Sequence, residues 1–298
     1  MDRRLVGLIV LAAPLLLLGC QRARSGTPPD AAQTVTPPAQ PELILLTTTS
    51  TQDSGLLDVL LPDFHGRTGY RVKPIAVGSG QALQLGARGE GDVVLAHAPA
   101  AEEAWLAANH GLDRRLVMFN DFLIVGPPDD PAGVRGSPSA SVALQRVASK
   151  RALFISRGDQ SGTHTRERQL WRQAGIAPAG NWYQESGTGQ GQSMQIASEK
   201  GGYMLTDRGT YLVLRNRLAL IPLIEHTGPE LLNVYHVMTV NPARGARVNA
   251  AGGEALADYL VSSSAQMLIR SFGQERFGGT LFLPAAGRAL ADLRPEGT

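Results

Sequence analysis

The chain reads as an α/β protein of two lobes joined by two crossing segments, and three observations lead there. Short apolar runs alternate with stretches of helical periodicity along most of its length, which argues for mainly parallel sheets flanked by helices. Two longer extended stretches, Val117 to Val125 and Leu231 to Val240, have no helix interrupting them, so the chain leaves one lobe, builds a second and returns. Hydroxyl-rich loops follow strands and precede helices, the place where ligands sit in open sheets.

At the N-terminus, Arg3 and Arg4 precede an apolar run over residues 5–18. A short cationic head and an apolar core too short to span a bilayer comfortably make a secretory signal. The run ends Leu17-Leu18-Gly19-Cys20, which resembles a bacterial lipobox. Residues 1–19 are therefore expected to be a removed signal peptide and Cys20 to be lipidated, leaving the protein exported and anchored to a bacterial membrane that faces the periplasm or the cell exterior. A plain cleaved signal with an incidental cysteine is the alternative. Cys20 is the sole cysteine, so no intramolecular disulfide supports the fold. Residues 20–41 are rich in Pro and poor in large apolar residues, the composition of a flexible stalk.

The first lobe begins with a strand at Leu43–Leu46, the loop Thr47 to Gly55 and a helix carrying Leu56, Leu57, Leu60, Leu61 and Phe64. A strand at 72–77, the loop Gly78-Ser79-Gly80 and a helix over 81–87 follow, then a strand at 92–97 and a helix over 100–110. After the extended stretch to Val125, the Gly/Pro-rich segment 126–138 marks a lobe boundary. The second lobe is expected as strand 152–155, helix 163–174, strand 181–185, helix 192–200, strand 202–206, helix 208–216 and strand 218–224. Helices over 253–260 and 262–272 close the first lobe. The resulting division is 42–126 with 236–287 as the first lobe, 127–235 as the second, and 288–298 as a tail. Trp105, Trp171 and Trp182 read as core residues.

The loop Ser156 to His164 stands out chemically. Ser161 or Thr163 can cap the following helix, Gly158 and Gly162 permit close backbone approach, and a helix start presents N–H groups beside the cation Arg157. No Lys follows the glycines, so a nucleotide phosphate loop is excluded. Thr47 to Ser54, Gly78 to Gly80 and Ser186 to Ser193 supply further hydroxyls and N–H donors. Neutral donors around one positive charge suit a small tetrahedral oxyanion, and donors drawn from both lobes would let binding close the cleft. Asp159, Ser161 and His164 also raise a secreted serine hydrolase, but three groups within six residues rarely converge as a triad, and no nucleophile elbow occurs. No catalytic residues and no cofactor are therefore expected. The six His and one Cys form no metal-binding pattern, so a metal would enter only as its oxyanion. A formal charge of +2 argues against nucleic-acid binding.

Five motifs in order resemble the substrate-binding lipoprotein of bacterial tungstate ABC importers: Thr47 to Thr51 with Asp53-Ser54-Gly55, Val94 to Pro99, Met118 to Phe122, Ser156 to His164, and Tyr203 to Tyr211. The resemblance spans about residues 43–285. It implies a periplasmic-binding-protein fold of type II, each lobe a mixed, mostly parallel sheet flanked by helices. It also implies tungstate or molybdate as ligand, a permease and its ATPase as partners, and a monomer. Carried over by position, the ligand contacts would be Thr49, Ser50, Ser79, Arg157, Ser161 and Thr163, with Ser193 from the fourth loop, where this chain reads Gly189-Gln190-Gly191-Gln192-Ser193. The Arg-x-Asp-x-Ser-Gly-Thr core is shared with phosphate-binding proteins, in which an Asp accepts the proton of hydrogen phosphate. Phosphate is the alternative ligand.

Overall fold

The computed structural model describes residues 38–225 and 228–294. The signal sequence, Cys20, most of the stalk, His226 and the end of the tail lie outside the described residues. In chain order the first elements are β1 (Glu42–Thr48), α1 (Thr49–Asp53), α2 (Leu57–Thr68), β2 (Arg71–Val77), α3 (Ser79–Ala87), β3 (Val93–Ala96), α4 (Pro99–Ala107) and β4 (Gly111–Gly126). Then come α5 (Ala140–Lys150), β5 (Phe154–Ser156), α6 (Gly162–Gln173), β6 (Tyr183–Glu185), α7 (Gln190–Lys200), β7 (Met204–Asp207), α8 (Arg208–Leu214) and β8 (Ile221–Ile224). The chain closes with β9 (Leu232–Val240), α9 (Ala250–Val261), α10 (Ser263–Ser271), α11 (Gln274–Phe277) and β10 (Leu283–Pro284).

Strands β2, β1 and β3 are parallel neighbours, β9 joins β3 antiparallel, and β4 runs antiparallel to β9. Side chains on these strands alternate between two faces, as the pleat requires. Leu43, Leu45, Val93 and Leu95 enter a core with Phe64 of α2, Leu256 and Leu260 of α9 and Ile269 of α10. Leu46, Val94 and Ala96 face the other way, onto Ala82 and Leu83 of α3 and Trp105 of α4.

The sixteen-residue strand β4 serves both halves of the molecule. Up to Asp121 it pairs with β9, and from Phe122 to Val125 it pairs with β7. Alternation continues across the change of partner. Phe122 and Ile124 enter a second core with Leu144 of α5, Leu170 and Trp171 of α6 and Tyr203. Leu123 and Val125 pack with Met194 of α7 and Met204 of β7. The two-lobed α/β architecture expected from the alternation is thus present, with β4 and β9 as the long segments.

Several local readings need correction. Helix α5 was not anticipated, although Ser139 caps it by accepting from Val142 N at 3.2 Å and Ala140, Ala143, Leu144 and Val147 form its buried stripe. Within segment 126–138, Ala132 and Val134 are buried in the second core. Residues 49–53 form a short helix rather than a loop. Helix α8 ends at Leu214, and the next strand begins at Ile221 rather than 218. Trp105 and Trp171 are buried, whereas Trp182 is half-buried against the second core.

Within that second core sits Glu167, 2% exposed. Its Oε1 accepts from Trp171 Nε1 at 3.2 Å and Tyr183 Oη at 2.8 Å. Burial outweighs these bonds and pushes the carboxyl up to about 7. A carboxyl raised on folding contributes stability that is complete below its unfolded value and is lost as pH rises through its folded value. Glu167→Gln should therefore match the wild type near pH 5 and exceed it by about 3 kcal/mol or less near pH 8. Chemical denaturation across that range checks this, and a wild-type-to-variant difference independent of pH would contradict it.

Candidate functional site

The loop between β5 and α6 is built around its own polar groups. Ser161 caps α6, its Oγ accepting from His164 N at 3.1 Å. Asp159 turns inward: Oδ2 accepts from Arg157 Nη2 at 2.5 Å and Oδ1 accepts from Ser161 N at 3.1 Å. Gly158, at φ +63°, takes a conformation costly for other residues, and a Cβ there would lie 2.7 Å from Glu185 Cβ. A Cβ on Gly162 would meet His97 Cε1 at 2.6 Å. The close approaches that these two glycines permit are therefore to other parts of the chain.

Arg157 is 2% exposed and draws separate elements together. Its Nη2 also donates to Thr49 Oγ1 on α1 at 3.1 Å, and its Nη1 donates to Gln190 Oε1 on α7 at 2.9 Å. Gln190 is held in turn by donating to Thr206 Oγ1 at 2.8 Å. Gly78 packs against the backbone of Asp159 and Ser161, and Gly189 against the Thr49 side chain. The starts of α1, α3, α6 and α7 consequently converge, bringing N–H groups and partial positive charge to one place.

At that junction Ser79 Oγ, Thr163 Oγ1 and Arg157 Nε are buried with no hydrogen-bond partner among the described residues. Buried polar groups are normally paired, so three such groups together mark a place where the fold offers hydrogen bonds to something else. Thr49 Oγ1 and Ser161 Oγ each accept one bond and still have a proton to donate. Ser50, fully buried, contacts Thr48 Oγ1 at 3.1 Å and Tyr235 Oη at 3.3 Å. Ser193 is placed differently. Its hydroxyl lies within 3.2 Å of Ser186 Oγ, Thr188 Oγ1 and the carbonyls of Thr188 and Gly189, so it is engaged inside its own loop.

Burial lowers the Arg157 guanidinium, with Asp159 the foremost opposing influence, and Arg remains charged. Burial also lowers His97 to about 4, against its bond to Asn233, so this imidazole is neutral at ordinary pH. Sequence reasoning did not single out Gln190, Asn233 or Tyr235, which complete the surroundings of Arg157 and Ser50. Gln190 stands in the fourth glycine-rich loop, a signal that was available. Asn233 and Tyr235 alternate along an otherwise apolar strand, a weaker one. A cleft of about 230 Å³ lies beside the site, lined by His97, Phe122, Gly162, Arg166 and Asn233 among others.

This geometry does not make a catalytic triad. His164 Nδ1 accepts from Gln160 N at 3.1 Å instead of facing the Ser161 hydroxyl, and Asp159 is occupied by Arg157 and Ser161 N. Among the described residues no group of three or more His, Cys, Asp or Glu could hold a metal ion. The arrangement can instead surround a small oxyanion with hydroxyl, amide and guanidinium donors.

Comparison with known proteins agrees with that chemistry. Residues 28–264 match the model of the PBP superfamily domain. The chain is 43% identical over 290 residues to the tungstate-binding protein TupA of Peptoclostridium acidaminophilum, covering 96% of this chain and 100% of that protein. It superposes on the crystal structure of the tungstate ABC transporter from Geobacter sulfurreducens with a TM-score of 0.71 at 46% identity, covering 78% of this chain and 98% of that one. The tungstate-binding protein TupA of Desulfovibrio alaskensis gives a TM-score of 0.69 at 40% identity, with 83% and 99% covered. These matches show the family: the chain belongs to the PBP superfamily and, within it, to the family of the TupA proteins.

Proposed function

We propose that this protein binds tungstate outside the cytoplasm and delivers it to the permease and ATPase of an ATP-binding-cassette importer. The observation that carries this reading is the state of Asp159, whose two oxygens accept from Arg157 and from Ser161 N. With that acceptor occupied, the converging loops offer donors, which suits a fully deprotonated tetrahedral dianion. Hydrogen phosphate would bring an O–H that must share Asp159 oxygens already bonded to Arg157 and Ser161 N, at a cost of about 1–3 kcal/mol. The TupA relatives support tungstate in particular. In this reading Thr49, Ser50, Ser79, Arg157, Ser161 and Thr163 contact the anion, while Ser193 shapes the loop that presents Gln190.

Titration calorimetry with tungstate, molybdate, sulfate and phosphate tests the ligand. Tungstate should bind tightly at one equivalent, and phosphate of comparable strength, lost in Asp159→Asn, would overturn the assignment. Arg157→Ala removes the charge-assisted bonds of a buried anion and should cost about 2–5 kcal/mol, roughly 30-fold to several-thousand-fold in affinity. Ser50→Ala should cost less, about 1.5–3 kcal/mol.

The anion joins loops from both cores, so binding closes the lobes about the crossings at Asn120–Asp121 and Leu232–Asn233, where β4 changes partner. Small-angle scattering should show a smaller radius of gyration on adding tungstate. An identical profile at saturation argues for a site that does not move.

The protein is tethered through lipid on Cys20, a reading that rests on residues 1–20, and acts as a monomer, as the resemblance to the importer family implies. Mass spectrometry of membrane-extracted protein should find an acylated N-terminal Cys20. An intact Met1, or cleavage elsewhere, contradicts it.

A further inference from the structure

We infer that Asn233 and Tyr235 are positioning residues that orient the Ser50 hydroxyl as a hydrogen-bond donor toward the anion, and so contribute to selectivity for deprotonated oxyanions. The inference rests on the proposed oxyanion site. It comes from a chain of buried hydrogen bonds whose direction is fixed by one backbone carbonyl. Asn120 Nδ2 lies 3.2 Å from Leu281 O, which can only accept. The other end of that amide, Asn120 Oδ1, must then accept, and Asn233 Nδ2 donates to it at 2.8 Å. Asn233 Oδ1 is thereby left to accept, and it does so from His97 Nδ1 at 2.8 Å. This sets the His97 tautomer, with the proton on Nδ1 and a lone pair on Nε2, an atom that is buried without a partner among the described residues.

The second proton of Asn233 Nδ2 goes to Tyr235 Oη at 3.1 Å. Having accepted there, Tyr235 directs its own proton to its remaining partner, Ser50 Oγ, at 3.3 Å. Ser50 Oγ therefore has a lone pair engaged, and where its neighbour Thr48 Oγ1, 3.1 Å away, donates to it as well, its own proton is left for the anion. Donors linked in one direction polarise one another and strengthen the last of the series. The whole chain is shielded: Tyr235 and Ser50 are 0% exposed, Asn233 1% and Asn120 4%. The His97 ring stacks on Tyr235 with centroids 4.7 Å apart, which holds both rings in place. A chain of this kind spans the crossing strands β4 and β9 and ends in α1, directly after β1, so the groups that define the crossing also set the polarity of the site.

The test combines Tyr235→Phe, Ser50→Ala and the double variant, each titrated with tungstate and with phosphate, and melted without ligand. Tyr235→Phe should weaken tungstate about three- to ten-fold, the worth of one hydrogen bond, while phosphate binding stays level or improves. In the Ser50→Ala background, Tyr235→Phe should have no further effect on either anion. Parallel loss of both anions, or an equal effect of Tyr235→Phe with and without Ser50, overturns the inference. Wild-type protein that takes up no tungstate overturns the ligand reading itself, a separate result. A measurement on the wild type guards against a variant that fails to fold: nitrogen-15 spectra of the histidine rings should find His97 as the Nδ1–H tautomer. The Nε2–H tautomer would reverse the chain and sink the inference.

Discussion

The buried guanidinium of Arg157 is the interaction on which the remaining geometry depends. An isolated charge at 2% exposure would be costly by several kcal/mol, so the fold must surround it with partners. Those partners arrive from different elements: Asp159 from its own loop, Thr49 from the start of α1 and Gln190 from the start of α7. Satisfying one cation thereby fixes the relative position of three loops. It also engages the carboxylate of its own loop, so in the proposed function the stability requirement and the binding chemistry are met by the same contacts.

The framework around this cation explains why its loops are short and rigid. The loop before α6 follows β5, buried along its length, α1 follows β1 directly, and the loop before α7 follows the half-exposed β6. Ser161 caps α6 with its own side chain, while Ser193 ties down the loop before α7. Donors held this way need little reordering when a ligand arrives, and preorganisation of that kind preserves affinity.

Much of this was legible in the sequence, and the reasons are local. Alternating apolar runs at 43–46, 72–77 and 92–97 gave strands because β pairing and burial follow a period of two, and the Ser161 cap follows from a hydroxyl placed at a helix start. Helix α5 is hard to read because the Gly/Pro-rich residues 126–138 run straight into its Ser139 cap, so its apolar stripe of Ala140, Ala143, Leu144 and Val147 starts without a break in the turn-like composition. The inward turn of Asp159 is one of two geometries its loop allows and the one that the resemblance to the tungstate family favours, and the structure pairs it with both Arg157 and Ser161 N. The links from Ser50 to Tyr235 and from Asn233 to Asn120 could not be read, because they join residues 185 and 113 positions apart whose meeting is a property of the crossing strands.

Those crossing strands carry a mechanical consequence. Where the chain passes between the two cores, β4 and β9 are hydrogen-bonded to each other, Phe119 with Val234, Asn120 with Asn233 and Asp121 with Leu232. Two separate linkers could swivel independently about single bonds, but a paired ribbon cannot. It resembles a leaf spring, compliant to bending across its flat face and stiff against sliding or splaying, because those movements would break ladder bonds. Under the proposed lobe closure the path between open and shut forms is consequently close to one-dimensional, and its restoring force is set by the bending of a few residues of sheet.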